Sequence, residues 1–243
     1  MGCRALLIIF LLASPATAHA SPPDSPLRFA IIDDVPSTHL AAHLLSVAYE
    51  DLSLSITTEK LPSRRALLTA DMGEVDGDLF RIASVGDQYP NLVGVPYPLL
   101  EGQLDAVTGN PDLIGLQSLD EIDTTRLRVT VRRGVIIAEQ TAEALDMVPV
   151  RADRYDQMRA LLEWQRVDLA LVSDIEGFSP LHDPSWDPFY VFPEPAARFQ
   201  LFHYLHRQHA ELVVPLAAAL EKLDRSGERA QITSRYQTLP NEL

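Results

Sequence analysis

Several charged side chains stand where predicted β-strands end, and their types suit ligand binding better than catalysis. Asp33 and Asp34 follow the apolar run LRFAII, while Phe80 and Arg81 close the run that begins at Val75. A guanidinium can hold a carboxylate through two parallel hydrogen bonds, whereas paired carboxylates favour a cationic or ammonium-bearing ligand. Ligands of open α/β sheets bind outside the carboxyl ends of the strands. These four side chains are therefore candidate ligand contacts.

Each of these candidates also has a plainer interpretation. The two aspartates fit a solvated turn, and the phenylalanine ring fits a hydrophobic core. Arg81 can instead cap a helix or pair on the surface with Asp78 or Asp87. The sequence leaves both interpretations open.

Three histidines, His203, His206 and His209, raise a metal-site hypothesis that their spacing does not favour. If residues 198–206 form a strand, as their pattern indicates, His203 and His206 point to opposite faces and cannot bind one ion. In a helix the two would share a face. The chain contains no HExxH, GxSxG, GxxxxGKS/T or GxGxxG motif. We therefore predict no metal, no cofactor and no catalytic residue.

The elements that must position these residues alternate between strand-like and helix-like patterns. The predicted strands are 27–33, 54–62, 75–80, 91–95, 127–131, 147–150, 167–172 and 198–206. The first helix presents Leu40, Leu44 and Leu45 on one face, and Ser37 or Thr38 can cap it. Strands that alternate with amphipathic helices predict βαβ units, a parallel sheet and an α/β fold.

Residues 1–20 have the pattern of a secretory signal peptide. One arginine precedes an unbroken apolar run from Ala5 to Ala13, and AHA at 18–20 is a small-x-small cleavage site. The apolar run is about half of the ~20 residues that a membrane-spanning helix needs, so an anchor is the weaker interpretation. Residues 21–243 contain no cysteine. Export to a bacterial periplasm, with cleavage after Ala20, fits both observations.

The charge balance excludes one class of partner. The 243 residues carry a net charge of −14, whereas binding to a phosphate backbone requires clustered cations. We therefore expect no nucleic acid partner. Hydrophobic residues make up 47% of the chain, which is enough to build a full core in one large or two small domains.

The order of the elements and five local motifs resemble the polar amino-acid-binding family of type II periplasmic solute-binding proteins. The motifs are LPSRRALLTADMGEVDGDLFRI (61–82), NLVGVPYPL (91–99), VRRGVIIAEQ (131–140), MRALLEWQRVDLALVSD (158–174) and FHYLHRQHAELVVPLAAALEKLDRSGERAQI (202–232). The resemblance implies a two-lobed α/β fold with a hinge and a cleft between the lobes. Its implied boundaries are 27–107 for the first part of lobe 1, 108–190 for lobe 2 and 191–243 for the return to lobe 1.

The resemblance also implies a function. It predicts a periplasmic monomer that binds a small polar solute, amino-acid-like or related, and delivers it to an ABC-type permease or a membrane sensor protein. Two alternatives remain. One is a sensory module without transport, and the other is a periplasmic enzyme of the dehydratase type, in which a cleft carboxylate would act as acid or base.

The family's lobe-2 contacts map onto two further pairs of residues. In the family a helix N-terminus after a strand and a glycine seats the ligand carboxylate. Here that glycine is Gly134, and Arg133 is either an added cation or a solvated side chain. The family's ammonium-binding aspartate lies five residues after a Val-Asp strand entry, which gives Ser173, with Asp174 one place later. Asp174 faces a ligand only if its strand ends before it, and otherwise it fits a helix N-cap.

The sequence departs from the family's pattern at these positions. Arg81 lies five residues after the strand-entry Asp76, whereas the family's carboxylate-binding arginine lies farther along, inside a Thr-x-x-Arg segment. Gly134 is followed by Val135 rather than by a threonine. The departures indicate an orphan relative whose ligand differs from an ordinary α-amino acid.

Overall fold

The computed structural model describes residues 25–32, 35 and 37–238. The candidates Asp33 and Asp34 and the predicted signal peptide lie outside the described residues. The described strands are β1 (Leu27–Ile32), β2 (Ile56–Leu61), β3 (Gly77–Ile82), β4 (Leu92–Thr108), β5 (Arg128–Arg132), β6 (Val148–Ala152), β7 (Leu169–Ile175), β8 (Tyr190–Val191) and β9 (Ala197–His206). The described α-helices are α1 (Ser37–Glu50), α2 (Ser63–Asp71), α3 (Ile136–Ala144), α4 (Tyr155–Glu163), α5 (Val213–Ser226) and α6 (Glu228–Thr238).

The predicted α/β class is confirmed, and every predicted strand overlaps a described one. The largest difference is β4, which continues well beyond the predicted 91–95 and ends at Thr108. Pro96, Pro98 and Gly102 interrupt its apolar pattern and hide the continuation. The pairing of β4 with β9 shifts register on both sides of Pro98, and such irregularities are where a strand tolerates proline.

All described strands belong to one sheet with the order β2-β1-β3-β9-β4-β7-β5-β6, and β8 pairs with β4. The pairs β1–β2, β1–β3, β5–β6 and β5–β7 are parallel, as expected of βαβ units. The strands β4 and β9 are antiparallel to each other and to their other neighbours. These two long strands therefore join a parallel group at each end of the sheet.

The hydrophobic core divides the molecule into two lobes. Lobe 1 is the set of elements that surround one large cluster containing Phe29, Leu44 and Leu220. Lobe 2 surrounds two smaller clusters on opposite faces of its part of the sheet. Leu169 and Leu171 of β7 belong to one of them, and the alternating Ala170 and Val172 belong to the other.

The chain passes between the lobes inside continuous strands. From the sequence, the crossings are expected near 107–112 and 185–198. In the structure, β4 contributes Leu100 to the lobe-1 core and Leu104 to a lobe-2 core, and β9 returns with Leu201 in the lobe-1 core. The middle of β4 and the start of β9 therefore connect the two lobes. No helix in the described part of the chain is long and apolar enough to cross a membrane.

Candidate functional site

A cleft of about 1230 Å³ lies between the two lobes. Its lobe-1 wall comprises the start of α1 and the ends of β1, β2 and β3, and its lobe-2 wall comprises the end of β5, the starts of α3 and α4 and the end of β7. The Lys, Arg, Asp and Glu residues among the described lining are Lys60, Arg81, Arg132, Arg159, Asp156 and Asp183. Four of these six residues are cations, although Arg81 is paired with Asp78 and Arg159 lies 3.6 Å from Glu163.

Most of the remaining lining is apolar. Large hydrophobic side chains come from both lobes and from the connecting strands, namely Ile31, Phe80, Ile82, Phe178, Trp186 and Phe199. A concave apolar surface with a few polar groups is the usual composition of a small-molecule site. Phe80 is thus placed on the cleft wall, and it is largely buried there.

Arg81 lines the cleft, but its charge is held by a residue of its own strand. The Arg81 guanidinium lies 2.6 Å from Asp78 Oδ2, and both side chains are almost fully buried. On a regular strand, residues three apart face opposite sides. The β3–β9 register shifts between these two residues, and this irregularity places them on the same side. The sequence had Asp78 as a surface partner for Arg81, and the structure places that pair in the interior.

The Arg81–Asp78 ion pair has some further polar partners, but one guanidinium nitrogen has none. Two guanidinium nitrogens of Arg81 also donate to Ser63, at 3.2 Å to Oγ and 3.3 Å to its carbonyl oxygen, whereas Nε has no partner. Burial raises the pKa of the Asp78 carboxyl above its ordinary value, and the neighbouring guanidinium acts in the opposite direction. The pair is therefore a fixed, desolvated feature of the lobe-1 wall.

Ser63 extends this network across the cleft. Its hydroxyl donates to the carbonyl oxygen of Gly134 at 3.3 Å, which links α2 of lobe 1 to the loop before α3 of lobe 2. Gly134 has φ +82°, and a Cβ there would lie 3.2 Å from the Ser63 Cβ. A second link joins Ser84 and Gln140, with the Gln140 amide nitrogen 3.1 Å from the Ser84 hydroxyl. Gly134 therefore lines the cleft at a point where the two lobes touch.

The other lobe-2 candidates are divided between the cleft and the opposite surface. Ser173 is buried and lines the cleft. Strand β7 continues to Ile175, so Asp174 points to the opposite face, where it lines a separate hollow and accepts a hydrogen bond from the Gly177 backbone. Arg133 is not part of the cleft lining, and its largely exposed side chain pairs with Asp153 at 2.8 Å.

Ser37 and Thr38, at the start of α1, line the cleft, although their sequence positions predicted only a helix-capping role. Helix α1 already includes Ser37 and Thr38, and the prediction that one of them caps it is wrong, because neither hydroxyl has a hydrogen-bond partner. Both side chains are more than nine-tenths buried, and both residues line the cleft. The only feature of the sequence that could have predicted this location is their position directly after the first strand, because ligands bind outside strand ends.

Lobe 2 contributes a cationic and aromatic surface that the sequence did not single out. Arg132 ends β5, and its guanidinium carbon lies 5.2 Å from the centre of the Tyr155 ring. Arg159 follows one turn later on α4 and donates to the Ser185 hydroxyl. All three line the cleft. Their places after β5 and at the start of α4 would have been found by applying the strand-end rule to every βα unit.

The histidines serve separate local roles. His203 lies on β9, fully buried, with its ring nitrogens 2.9 Å from Tyr49 Oη and 3.0 Å from the Leu79 carbonyl oxygen. Burial lowers the pKa of His203 to about 4. His209 lies 2.6 Å from an Asp76 carboxylate oxygen. Within the described ranges, no three His, Cys, Asp or Glu residues are grouped so as to hold a metal ion.

One further perturbed carboxyl lies on the connecting strand β4. Asp105 is largely buried and accepts a hydrogen bond from the Gln103 side chain at 2.9 Å. Burial, and then the nearby negative charge of Asp174, raise the pKa of Asp105 to about 6. This carboxyl does not line the cleft.

Comparison of the sequence with known proteins gives one informative relative. No protein-family model matches the chain. A protein of Shewanella oneidensis, described only as uncharacterized, is 29% identical over 187 residues, which cover 74% of this chain and 69% of that protein. This similarity indicates common ancestry without indicating a function.

Solved structures identify the fold. The GluR0 ligand-binding core in complex with L-glutamate matches with a TM-score of 0.71 at 12% identity, over 88% of this chain and 99% of that one. A histidine kinase sensor domain with similarity to periplasmic binding proteins gives 0.70 at 14%, over 88% and 96%. The fold is that of the type II periplasmic binding proteins. A substrate-binding protein of an amino acid ABC transporter gives 0.64 at 11%, over 88% and 100%.

The periplasmic-binding-protein fold confirms the predicted two-lobed architecture. All three matched structures are described as ligand-binding, substrate-binding or sensor units. The cleft between the lobes, with strands β4 and β9 as the connection, is therefore the candidate ligand site of this chain.

Proposed function

We propose that this protein binds a small polar solute in the cleft between its lobes and closes on it by a hinge motion. The observation that carries the proposal is the cleft itself, whose two walls come from different lobes and meet at Ser63 and Gly134. A ligand that contacts both walls favours the closed arrangement, because only that arrangement offers it both sets of contacts.

The two strands that connect the lobes support such a motion. The lobes are joined through the middle of β4 and the start of β9, and small changes in their backbone angles rotate one lobe relative to the other. The polar links across the cleft, Ser63 to Gly134 and Ser84 to Gln140, are neutral hydrogen bonds. Each contributes about 1 kcal/mol, so by themselves they hold the lobes together only weakly, and a ligand that contacts both walls adds to them.

We further propose that the mature protein is a periplasmic monomer without enzymatic activity or a cofactor, and that it presents its solute to a membrane protein. The partner is an ABC-type permease or a sensor protein. Structures with this fold come from both settings, as the amino acid transporter component and the histidine kinase sensor domain illustrate. The secretory pattern of residues 1–20 supports the location.

The first experiment is a thermal-shift screen of the protein, exported with its own first twenty residues and purified from the periplasm. The screen includes amino acids, short peptides, polyamines, organic acids and sugars. A ligand at a hundredfold excess over its Kd stabilises the folded state by about 2.7 kcal/mol, which gives a clear rise in Tm. Small-angle scattering with each hit should then show a decrease in the radius of gyration.

Two results would contradict the proposal. A ligand that binds and leaves the radius of gyration unchanged would contradict the hinge motion. A screen without any hit would contradict solute binding in the cleft. Mass spectrometry of each hit after overnight incubation separates binding from turnover. A changed mass would favour the dehydratase alternative over a binding protein.

A further inference from the structure

Unpaired buried polar atoms are concentrated on one wall of the cleft. Five buried side-chain nitrogen or oxygen atoms in the described part of the chain have no hydrogen-bond partner. Three of the five, Ser37 Oγ, Thr38 Oγ1 and Arg81 Nε, belong to residues that line the lobe-1 wall. Buried polar groups in proteins are nearly always paired, so each exception calls for an explanation. Three exceptions on one cleft wall point to a common bound group.

The three atoms share a chemical property. Hydroxyl groups and a guanidinium N–H all donate hydrogen bonds. Ser37 and Thr38 also open α1, a helix of 14 residues, so the positive end of its dipole adds to the same wall. Lys60, at the end of the neighbouring β2, lines this wall as well. Donors of this kind bind a group with several acceptor oxygens and negative charge.

The charge on the lobe-1 wall indicates which kind of oxyanion would bind there. Asp78 lies 2.6 Å from Arg81 and balances its charge, so the donors nearest to α1 are mainly neutral hydroxyls and backbone amides. Such a set suits a single negative charge better than the double charge of a phosphate monoester. Phe80 and Ile82 flank Arg81 on β3, and Phe178 and Trp186 of lobe 2 line the same cleft. The body of the ligand therefore meets apolar surface.

We propose that Ser37 and Thr38, at the start of α1, form a carboxylate subsite for an organic acid with an apolar body. This inference rests on the proposed function, since it names the class of solute that the cleft binds. The hydroxyls donate to the two carboxylate oxygens, and the apolar body lies against the aromatic side chains.

The test compares matched probes on the exported, purified protein. Benzoate, 3-phenylpropionate and 4-methylpentanoate are each titrated beside the corresponding primary amide by calorimetry and thermal shift. The expected result is at least tenfold tighter binding of one or more acids than of its amide. Phenyl phosphate, L-phenylalanine, L-arginine and glucose complete the panel as probes of the competing ligand classes.

Two variants locate the subsite. The double variant Ser37→Ala/Thr38→Val should weaken binding of the acid at least tenfold while binding of the amide stays within twofold. The control is Ser46→Ala, because Ser46 lies on the same helix, away from the cleft lining, and its hydroxyl only bonds to Glu50. Urea unfolding of each variant shows whether its fold is intact.

The outcomes separate this inference from the proposed function. If glucose or phenyl phosphate binds and no carboxylate-bearing probe does, solute binding stands and the carboxylate class is overturned. If L-phenylalanine or L-arginine binds and none of the three simple acids does, solute binding stands and the assignment to an organic acid without an ammonium group is overturned. If an acid binds equally well to the folded double variant, the assignment of Ser37 and Thr38 is overturned. If nothing in this panel or the wider screen binds, both proposals fail.

Discussion

The arginines at and beside the cleft have different electrostatic settings in the two lobes. On the lobe-1 wall, Arg81 is buried and its charge is balanced by Asp78 within the same strand. On lobe 2, Arg133 is about 62% exposed and pairs with a solvated Asp153, and Arg132 and Arg159 remain partly exposed beside the cleft. Arg81 is thus part of the folded interior, whereas Arg132, Arg133 and Arg159 of lobe 2 are partly or largely exposed.

The cores of the two lobes show the same contrast. Lobe 1 has one large cluster between helices and sheet, while lobe 2 divides its buried side chains between two faces of a narrower sheet. A wall that is fixed by packing is preorganised for a ligand, because less freedom is lost when the ligand binds. Position in a sequence motif therefore does not decide an arginine's role. Its burial and its partner do.

Removal of Asp78 should give the largest effect. Asp78→Ala leaves the Arg81 guanidinium buried without a counter-charge, and the expected loss of unfolding free energy is about 3–5 kcal/mol. Urea unfolding measures this loss, and Asp78→Ala/Arg81→Met, which removes both charges, should recover much of it. A loss below about 1 kcal/mol for the single variant would mean that the pair is solvated, and the contrast between the lobes would disappear.

His203 should make the lobe-1 core sensitive to acid. The pKa of His203 is lowered to about 4 in the folded protein, so folding favours the neutral ring. Its stabilisation of the folded state is complete above the ordinary pKa of histidine, near 6.5. As the pH falls from 6.5 to 4, about 3 kcal/mol of unfolding free energy should be lost. Urea midpoints across this range measure the loss. His203→Gln should flatten the profile, and an unchanged slope would exclude His203 as its source.

Asp105 should give lobe 2 the opposite pH dependence. Its pKa is raised to about 6, so the protonated carboxyl is favoured in the folded state. The stabilisation of the folded state by this protonated carboxyl is complete below the ordinary pKa near 3.8. About 2 kcal/mol of unfolding free energy should be lost as the pH rises to 6. Asp105→Asn removes this titration, so the variant should be more stable than the wild type at pH 7 and equal to it at pH 4. Equal stability at both pH values would contradict the prediction.

Gly134→Ala should affect the contact between the lobes. Alanine at φ +82° costs about 1 kcal/mol, and the new methyl group would also press against Ser63. We expect a small loss of stability together with a larger radius of gyration in scattering. The matched control is Gly115→Ala, where φ is +96° and no atom lies within 4 Å. If both variants change the radius equally, the Gly134 contact does not hold the lobes together.

The smallest effect is expected at the exposed pair of lobe 2. Arg133→Gln should change the unfolding free energy by less than about 0.5 kcal/mol, because a solvated ion pair contributes little. The affinity for any solute found in the screen should stay within twofold. A tenfold loss in calorimetry would instead place Arg133 at the ligand.

Local patterns in the sequence were sufficient to predict the elements of the fold. Apolar periodicity located the strands, and the alternation with helices led to the α/β class. The length of β4 could not be predicted, because Pro96, Pro98 and Gly102 break its pattern, and only pairing with the distant β9 shows that the strand continues. Information about such pairing is not contained in the local segment.

The site was predictable in location but not in chemistry. The strand-end rule selected Phe80 and Arg81, and the family resemblance selected Gly134 and Ser173; all four line the cleft. The strand-end rule could not show that Arg81 is paired with its own Asp78, since that depends on a register shift against β9. Asp174 faces away from the cleft because β7 continues through Asp174 to Ile175, whereas contact with the ligand required the strand to end before Asp174.

The long connecting strands also set the order in which the lobes can form during synthesis. The elements of lobe 2 are contiguous in the chain, whereas lobe 1 needs β9 and α5 from near the end. Strand β9 lies between β3 and β4, so their facing edges have no partner until β9 has been made. An unpaired strand edge is a template for association with other chains. The newly made protein therefore depends on its last elements to remove an aggregation-prone edge from its first.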